Sequence, residues 1–305
     1  MLTFISAKFG QAAVSMIGAS IVVFLLARAT GDPVTLMVSS NASAAEIARV
    51  RGSLGLDRSL PEQYLTFIGR AIRGDFGTSL QYRRPAMDVV LHGLNATVQL
   101  AAVAFLLTLL IAIPAGVYAA ARRDGPFDRV VRGIAATTQA LPSFWVASLF
   151  ILFFSVMLAV LPTSGYRGPK SFVLPVATLV IYSLAGLMRL TRSSMLETLQ
   201  TEYIRFARVK GARERSVLWR HGFRNAGLSV LTFGALVLLS LLSGSIIVET
   251  VFAWPGIGRA VVLAVNHRDF PVVQAIVLVL SGAYIVGNFL VDILYAVLNP
   301  RLRSA

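Results

Sequence analysis

The stretch VVLHGLNATVQLAAVAFLLTLLIAIPAGVYAAA, residues 89–121, decides the fold. It places 33 residues without a formal charge between Asp88 and Arg122. An α-helix needs about 20 apolar residues to cross the roughly 30 Å of hydrocarbon in a bilayer. Five further runs of the same kind accompany it. They hold 19 residues between Lys8 and Arg28, 34 between Arg132 and Arg167, 18 between Lys170 and Arg189, 24 between Arg224 and Glu249, and 22 between Asp269 and Asp292. Inside lipid the backbone must satisfy its own hydrogen bonds, so such runs read as helices; barrel strands would be shorter and alternating. The sequence predicts an all-α polytopic membrane protein, a single domain over 1–305 with six spanning helices. Composition agrees, with 56% apolar and 14% charged residues, where a soluble chain carries roughly 25% charge.

The first run also admits a signal-peptide reading, because small residues surround Arg28. Its 19-residue apolar core exceeds the usual 7–15 and only Lys8 precedes it, which favours a retained anchor. The net charge of +14 has a direction. With a cytoplasmic N-terminus, the inner segments carry Lys8, Arg122, Arg123, Arg129, Arg132, nine Lys/Arg from Arg189 to Arg224, Arg301 and Arg303. The two short outer loops carry Arg167, Lys170, Arg259 and Arg268. Sixteen against four selects N- and C-termini inside. An external loop of about 30–93 carries seven more arginines, at a length where that rule loses force. Topology thus accounts for the basic excess. No continuous basic stripe calls for a nucleic-acid partner.

The chain has no cysteine, so the external loop has no disulfides and the protein no thiolate metal site. Within LPEQYLTFIGRAIRGDFG, 60–77, residues Tyr64, Phe67, Ile68, Ala71 and Ile72 share one helical face, with Pro61 and Gly74 as punctuation. That pattern predicts an amphipathic helix, lying on the outer membrane surface or packed on the bundle.

Catalytic constellations are missing. His92, His221 and His267 have no metal-ligand spacing, and no serine sits in a nucleophile elbow. None of Lys8, Lys170 and Lys210 follows a glycine, so no Walker A loop exists to hold ATP. Glu249, Arg189 and Asp292 fall toward helix ends rather than in mid-span, unlike the ion-coupling groups of a secondary carrier. The energy for any transport is expected from another chain.

Seven segments, in order, carry a family likeness. They are LGLDRSLPEQY (54–64), GDFGTSL (74–80), LPSFW (141–145), EYIRFARVKGARERSVLWRH (202–221), VETVFAWPGIGR (248–259), RDFPVVQ (268–274) and VDILYAVLNPRLR (291–303). Over nearly its whole length the chain resembles the membrane permease subunit of a bacterial ABC importer. More closely, it is similar to the B-type subunit of dipeptide, oligopeptide and nickel permeases. The resemblance implies type I permease architecture in the inner membrane. It implies pairing with a C-type permease subunit to enclose the pathway, two cytoplasmic ATPases holding ATP and Mg, and an external solute-binding protein. This chain itself would bind no cofactor. Implied substrates are short peptides, with nickel complexes or glutathione as relatives. Two rivals stand beside this reading: a secondary carrier working alone, and a membrane scaffold or receptor without transport.

The loop of about 196–226 matches the family's ATPase-docking loop, with Glu202, Tyr203, Arg205, Ala207, Arg208, Lys210, Gly211, Arg213 and Arg215 as candidates. The residues predict a short helix over Glu202–Lys210, a left-handed break at Gly211 and a second helix from Arg213. Ala207 and Gly211, four apart, would present small residues to a partner's cleft. The cations either steer the encounter or simply mark the inner side. Of the family's Glu-Ala-Ala opening only Ala207 survives. Leu228-Ser229 stands where the family usually has Leu-Pro, which leaves the kink there in doubt. In the outer segment Trp254 is an interfacial anchor by type, Pro255-Gly256 forces a turn and Gly258 permits close approach. That segment reads as a re-entrant or surface-lying loop, structural or gating. Candidate pathway-lining residues are Asn95, Gln99, Thr138, Gln139, Ser240 and Ser243; small polar residues also join helices without lining anything.

Overall fold

The computed structural model describes residues 2–29, 43–53 and 55–298, without the side chains of 2–7, 50, 53, 243, 244 and 294–298. The basic tail at Arg301 and Arg303, and the Ser243 side chain, lie outside the described residues. Among the described residues, five helices are long and apolar enough to cross a membrane, and six spans result if one bent pair counts as one. α1 (Leu2–Ala29) is followed by two short helices, α2 (Ala44–Ser53) and α3 (Leu60–Ala71). α4 (Ala86–Ala121) is the helix of the decisive stretch and begins inside the expected 30–93 loop.

The third charge-free run is not one straight helix. α5 (Pro126–Ala140) and α6 (Ser143–Phe150), which continues as a π-helical turn over Ile151–Met157, meet at 103°. Pro142 supplies the cause. Its ring disfavours the helical conformation at the preceding residue, and Leu141 is extended (φ −92°, ψ 134°). The Tyr182 hydroxyl donates to the Leu141 carbonyl, which has lost its helical partner.

α7 (Val173–Leu199) follows, then α8 (Glu202–Val209). α9 (Glu214–Ser216) passes through a π-helical turn, Val217–Phe223, into α10 (Arg224–Gly244) without interruption. α10 runs as unbroken α-helix through Leu228-Ser229. α11 (Ile246–Val251), α12 (Ile257–Asn266) and α13 (Phe270–Leu298) complete the chain. At ten residues α12 is too short to cross, as expected of the outer segment.

The chain forms two compact units. One comprises the chain up to Asn95 with Gly256–Phe289; the other comprises Ala96–Pro255 and the chain from Leu290 on. The first has a core of Ala86, Val89, Val90, Ile257, Ala264, Val272, Ala275 and Ile276. Gly93 is glycine because the α12 start lies against it: a Cβ there would sit 3.0 Å from Ile257 N. α3 packs on α1, with the Tyr64 and Ser20 hydroxyls 2.8 Å apart and the Phe24 ring 5.5 Å from Tyr64 and 5.7 Å from Phe67. Ile72 departs from the expected face; it caps α3 and is exposed.

In the second unit, α4 and α7 approach closely at Gly116, where a Cβ would lie 2.6 Å from Thr191 Cβ. α5 is held to α7 by a buried ion pair. Arg192 Nε and Nη2 donate to Asp128 Oδ1 and Oδ2 at 2.5 and 2.8 Å, and the Asp124 N–H adds a bond at 3.0 Å. Asp128 is fully buried, so this bidentate pairing is what makes its charge tolerable.

Candidate functional site

The segment between α7 and α10 has the helix–break–helix form expected of it. α8 ends in both Schellman bonds, Ala212 N–H to Ala207 O at 3.2 Å and Gly211 N–H to Arg208 O at 2.9 Å. Gly211 takes φ 78°, a conformation that glycine adopts without the strain a Cβ brings. A Cβ on Gly211 would meet open space, so backbone angle explains the glycine. It also lies beyond the end of α8, not on one helical face with Ala207, and Ala207 is half-buried.

Two cations of the segment pair with its own carboxylates. Arg208 reaches across the turn to Glu214 with bonds of 3.2 and 2.8 Å, and Arg205 pairs with Glu202 at 2.8 Å. The Tyr203 hydroxyl meets His221 Nδ1 at 2.7 Å. Lys210, Arg213 and Arg215 are exposed. Ile204 is fully buried and anchors α8 to its own unit. Turned away from it, Phe206 and Val209 are 64 and 84% exposed, and Tyr203, on the flank beside His221, is 51% exposed. They recur every third residue and form an apolar ridge along α8. Phe206 and Val209 were not among the residues expected to matter. Their signal was available as apolar positions out of phase with Ile204 in an otherwise basic helix.

The outer segment differs from its sequence reading. Trp254 is not an interfacial anchor but core, at 1% exposure. Its indole N–H donates to Ala96 O at 3.0 Å, and its ring packs 4.6 Å from Phe172 and 5.3 Å from Tyr166. Buried Trp requires such a partner for its N–H. One residue further along α4, the Thr97 hydroxyl donates to buried Glu249 at 2.7 Å, as does Ser245 at 2.8 Å. Pro255 is exposed, and Gly256 and Gly258 are buried.

Of the pathway candidates, Asn95 and Gln99 are exposed, four residues apart on α4. The Thr138 and Ser240 hydroxyls donate to carbonyls of their own helices, Ile134 and Val237. Gln139 Oε1 accepts from Arg189 at 3.2 Å. Among the described residues, no group of three His, Cys, Asp or Glu is placed to hold a metal.

Several apolar spans, with an exposed and firmly capped helix between two of them, fit a polytopic membrane transport subunit. Comparison with known proteins agrees. A family model for the binding-protein-dependent transport system inner membrane component matches residues 112–304, and one for the N-terminal part of such membrane components matches 1–101. The glutathione transport system permease protein GsiC of Escherichia coli (strain K12) is 40% identical over 285 residues, covering 93% of both chains. The oligopeptide transport system permease protein AppB of Bacillus subtilis (strain 168) is 37% identical over 303 residues, covering 94% of this chain and 95% of AppB. Among solved structures, a chain of the inward-facing MetNI methionine ABC transporter superposes with a TM-score of 0.55. It has 18% identity and covers 68% of this chain and 97% of that one, a likeness of fold. The chain belongs to the family of binding-protein-dependent transport system inner membrane components. It is an ABC importer permease, a transport subunit rather than an enzyme.

Proposed function

We propose that this chain forms half of the pathway of an ATP-driven importer of short peptides or a closely related solute such as glutathione. The substrate class rests on the names of its relatives, AppB and GsiC. A C-type permease subunit would supply the other half. Two ATPase subunits, carrying ATP and Mg, would drive it, and an external solute-binding protein would deliver the solute. The observation that carries the ATPase partnership is the ridge of Tyr203, Phe206 and Val209 on α8. A rigid apolar ridge in a basic segment is suited to a cleft on a soluble partner, with Lys210, Arg213 and Arg215 as rim charges.

Reconstitution tests the division of labour. Proteoliposomes holding this chain, its C-type partner and the ATPases are expected to take up a labelled dipeptide, or glutathione, only with ATP and the binding protein. Uptake by this chain alone, driven by an ion gradient, would replace the reading with a secondary carrier.

The orientation proposed is the one the charge count favours, with both termini and α8 in the cytoplasm of the inner-membrane protein. Because the native chain has no cysteine, Ser59→Cys and Ser216→Cys can be probed with an impermeant thiol reagent on spheroplasts. Labelling is expected at position 59 and not at 216; the reverse pattern overturns the orientation.

A further inference from the structure

Arg189 lies within the span Pro169–Leu199. By sequence it closes an uncharged run, yet α7 continues beyond it as helix to Leu199. Arg192, one turn further on, is matched by buried Asp128. Arg189 has no such match: among the described residues it forms no ion pair, and its Nη1 donates to Gln139 Oε1, a neutral amide, at 3.2 Å. Both side chains are exposed. A cation in a span is costly in lipid and is found facing a bundle interior or a water-filled cavity, where it marks a route for solutes.

The depth of this pair follows from the way α5 and α7 run together. Asp128, in the first turn of α5, meets Arg192, and the Leu141 carbonyl, just past its end, accepts from Tyr182. From Arg192 back to Tyr182 is about 15 Å along α7, at ~1.5 Å per residue. The break at Leu141-Pro142 therefore stands about halfway through a hydrocarbon layer of roughly 30 Å. Gln139 immediately precedes the break. Tyr182 and Arg189, two turns apart, share one face of α7. Helical side chains lean toward the N-terminus, which carries the Arg189 guanidinium toward the break. Non-helical backbone at membrane depth is tolerated where protein buries it or where it lines a watery cavity. Ala140 and Pro142, on either side of Leu141, are exposed, so their own unit does not bury the break.

We propose that Arg189 and Gln139 form a carboxylate-binding subsite of the translocation pathway, which takes the terminal carboxylate of a short peptide or a carboxylate of glutathione. The proposal rests on the importer reading above. Arginine only donates, so Gln139 turns Oε1 to it and keeps Nε2 as a second donor. The unused side of the guanidinium fork and the amide hydrogens together suit the two oxygens of a carboxylate. The bond to a neutral amide orients the guanidinium without cancelling its charge, whereas the charge of Arg192 is spent on Asp128.

The test compares uptake of a labelled dipeptide and of its C-terminal amide by proteoliposomes of the complete importer, each solute delivered by saturating binding protein. Arg189→Gln is expected to lower dipeptide uptake about tenfold or more. Amide uptake, and ATP hydrolysis stimulated by the loaded binding protein, are expected to change less than about twofold. Arg189→Lys keeps the charge and is expected to recover a large part of the dipeptide uptake; Gln139→Ala is expected to fall between. Where even the wild type carries no amide, the supporting result is lost dipeptide uptake with hydrolysis intact and rescue by lysine. Unchanged dipeptide uptake overturns the proposal, and so does an equal loss of dipeptide and amide uptake. Loss of the C-type subunit from the purified Arg189→Gln complex also overturns it, because the cation would then serve a carboxylate of that subunit. If the wild-type complex takes up neither solute, the importer reading fails instead.

Discussion

Phe206→Asp is expected to lower retention of the ATPase subunits about a hundredfold while leaving the chain's membrane abundance unchanged. Phe206 is already 64% exposed, so the folded chain has little to lose at that position. In a docked complex its ring would be desolvated by the partner, and a carboxylate placed there would be buried without an assured hydrogen-bond partner. Such a burden of roughly 3 kcal/mol, at ~1.4 kcal/mol per tenfold, gives the hundredfold. Val209→Asp, at the most exposed position of the ridge, is expected to act in the same way. Arg205→Ala should be mild, because Arg205 is occupied with Glu202 on the surface. The measurement is a pull-down of the ATPases from solubilised membranes alongside quantification of the tagged permease. Full ATPase retention in both aspartate variants would sink the coupling assignment. Ile204→Asp serves as the contrasting control: it strikes the buried side of the same helix and should reduce abundance itself.

Asp128→Ala is the second large effect. Arg192 is four-fifths buried and has its guanidinium fork matched to the Asp128 carboxylate. Removing the carboxylate leaves an uncompensated buried cation, which typically costs about 3–5 kcal/mol. α5 would lose its principal polar tie to α7, and the purified chain should unfold at a clearly lower temperature. The double variant Asp128→Leu/Arg192→Met removes both charges and is expected to recover most of the stability, since apolar pairs often replace buried ion pairs at little loss. Thermal unfolding in detergent, compared across wild type, single and double variants, provides the check. Equal destabilisation in single and double variants would mean that packing, not charge pairing, holds α5.

Sequence carried the bundle clearly and its sites unevenly, and the reason differs from residue to residue. Charge-free runs are one-dimensional objects imposed by the bilayer, so most spans could be counted directly. The run from 133 to 166 could be found in this way but not its bend, because a count of apolar residues ignores what Pro142 does to Leu141. Helix, break and helix around Gly211 were legible because the capping chemistry is local. Trp254 was misplaced because its residue type suggests a membrane interface, whereas its actual setting depends on the Ala96 carbonyl, 158 positions away. The hydrogen bond between Ser79 and Asp269 is a still clearer case: each stands in a recognisable segment, and nothing in either segment announces the other. Phe206 and Val209 are legible as apolar positions out of phase with Ile204, but which of the two faces of α8 is buried is decided by tertiary packing.

The uninterrupted passage from α9 through the π-helical turn into α10 has a mechanical meaning. Glu214–Gly244 makes a single shaft of about 45 Å at ~1.5 Å per residue. One end adjoins the Gly211 turn, clamped there by Arg208 on Glu214, while the rest is a membrane span. A load applied to α8 therefore reaches the interior of the bilayer as tilt rather than being absorbed in a flexible joint. Turning such a shaft by roughly 5° about its middle carries each tip through about 2 Å.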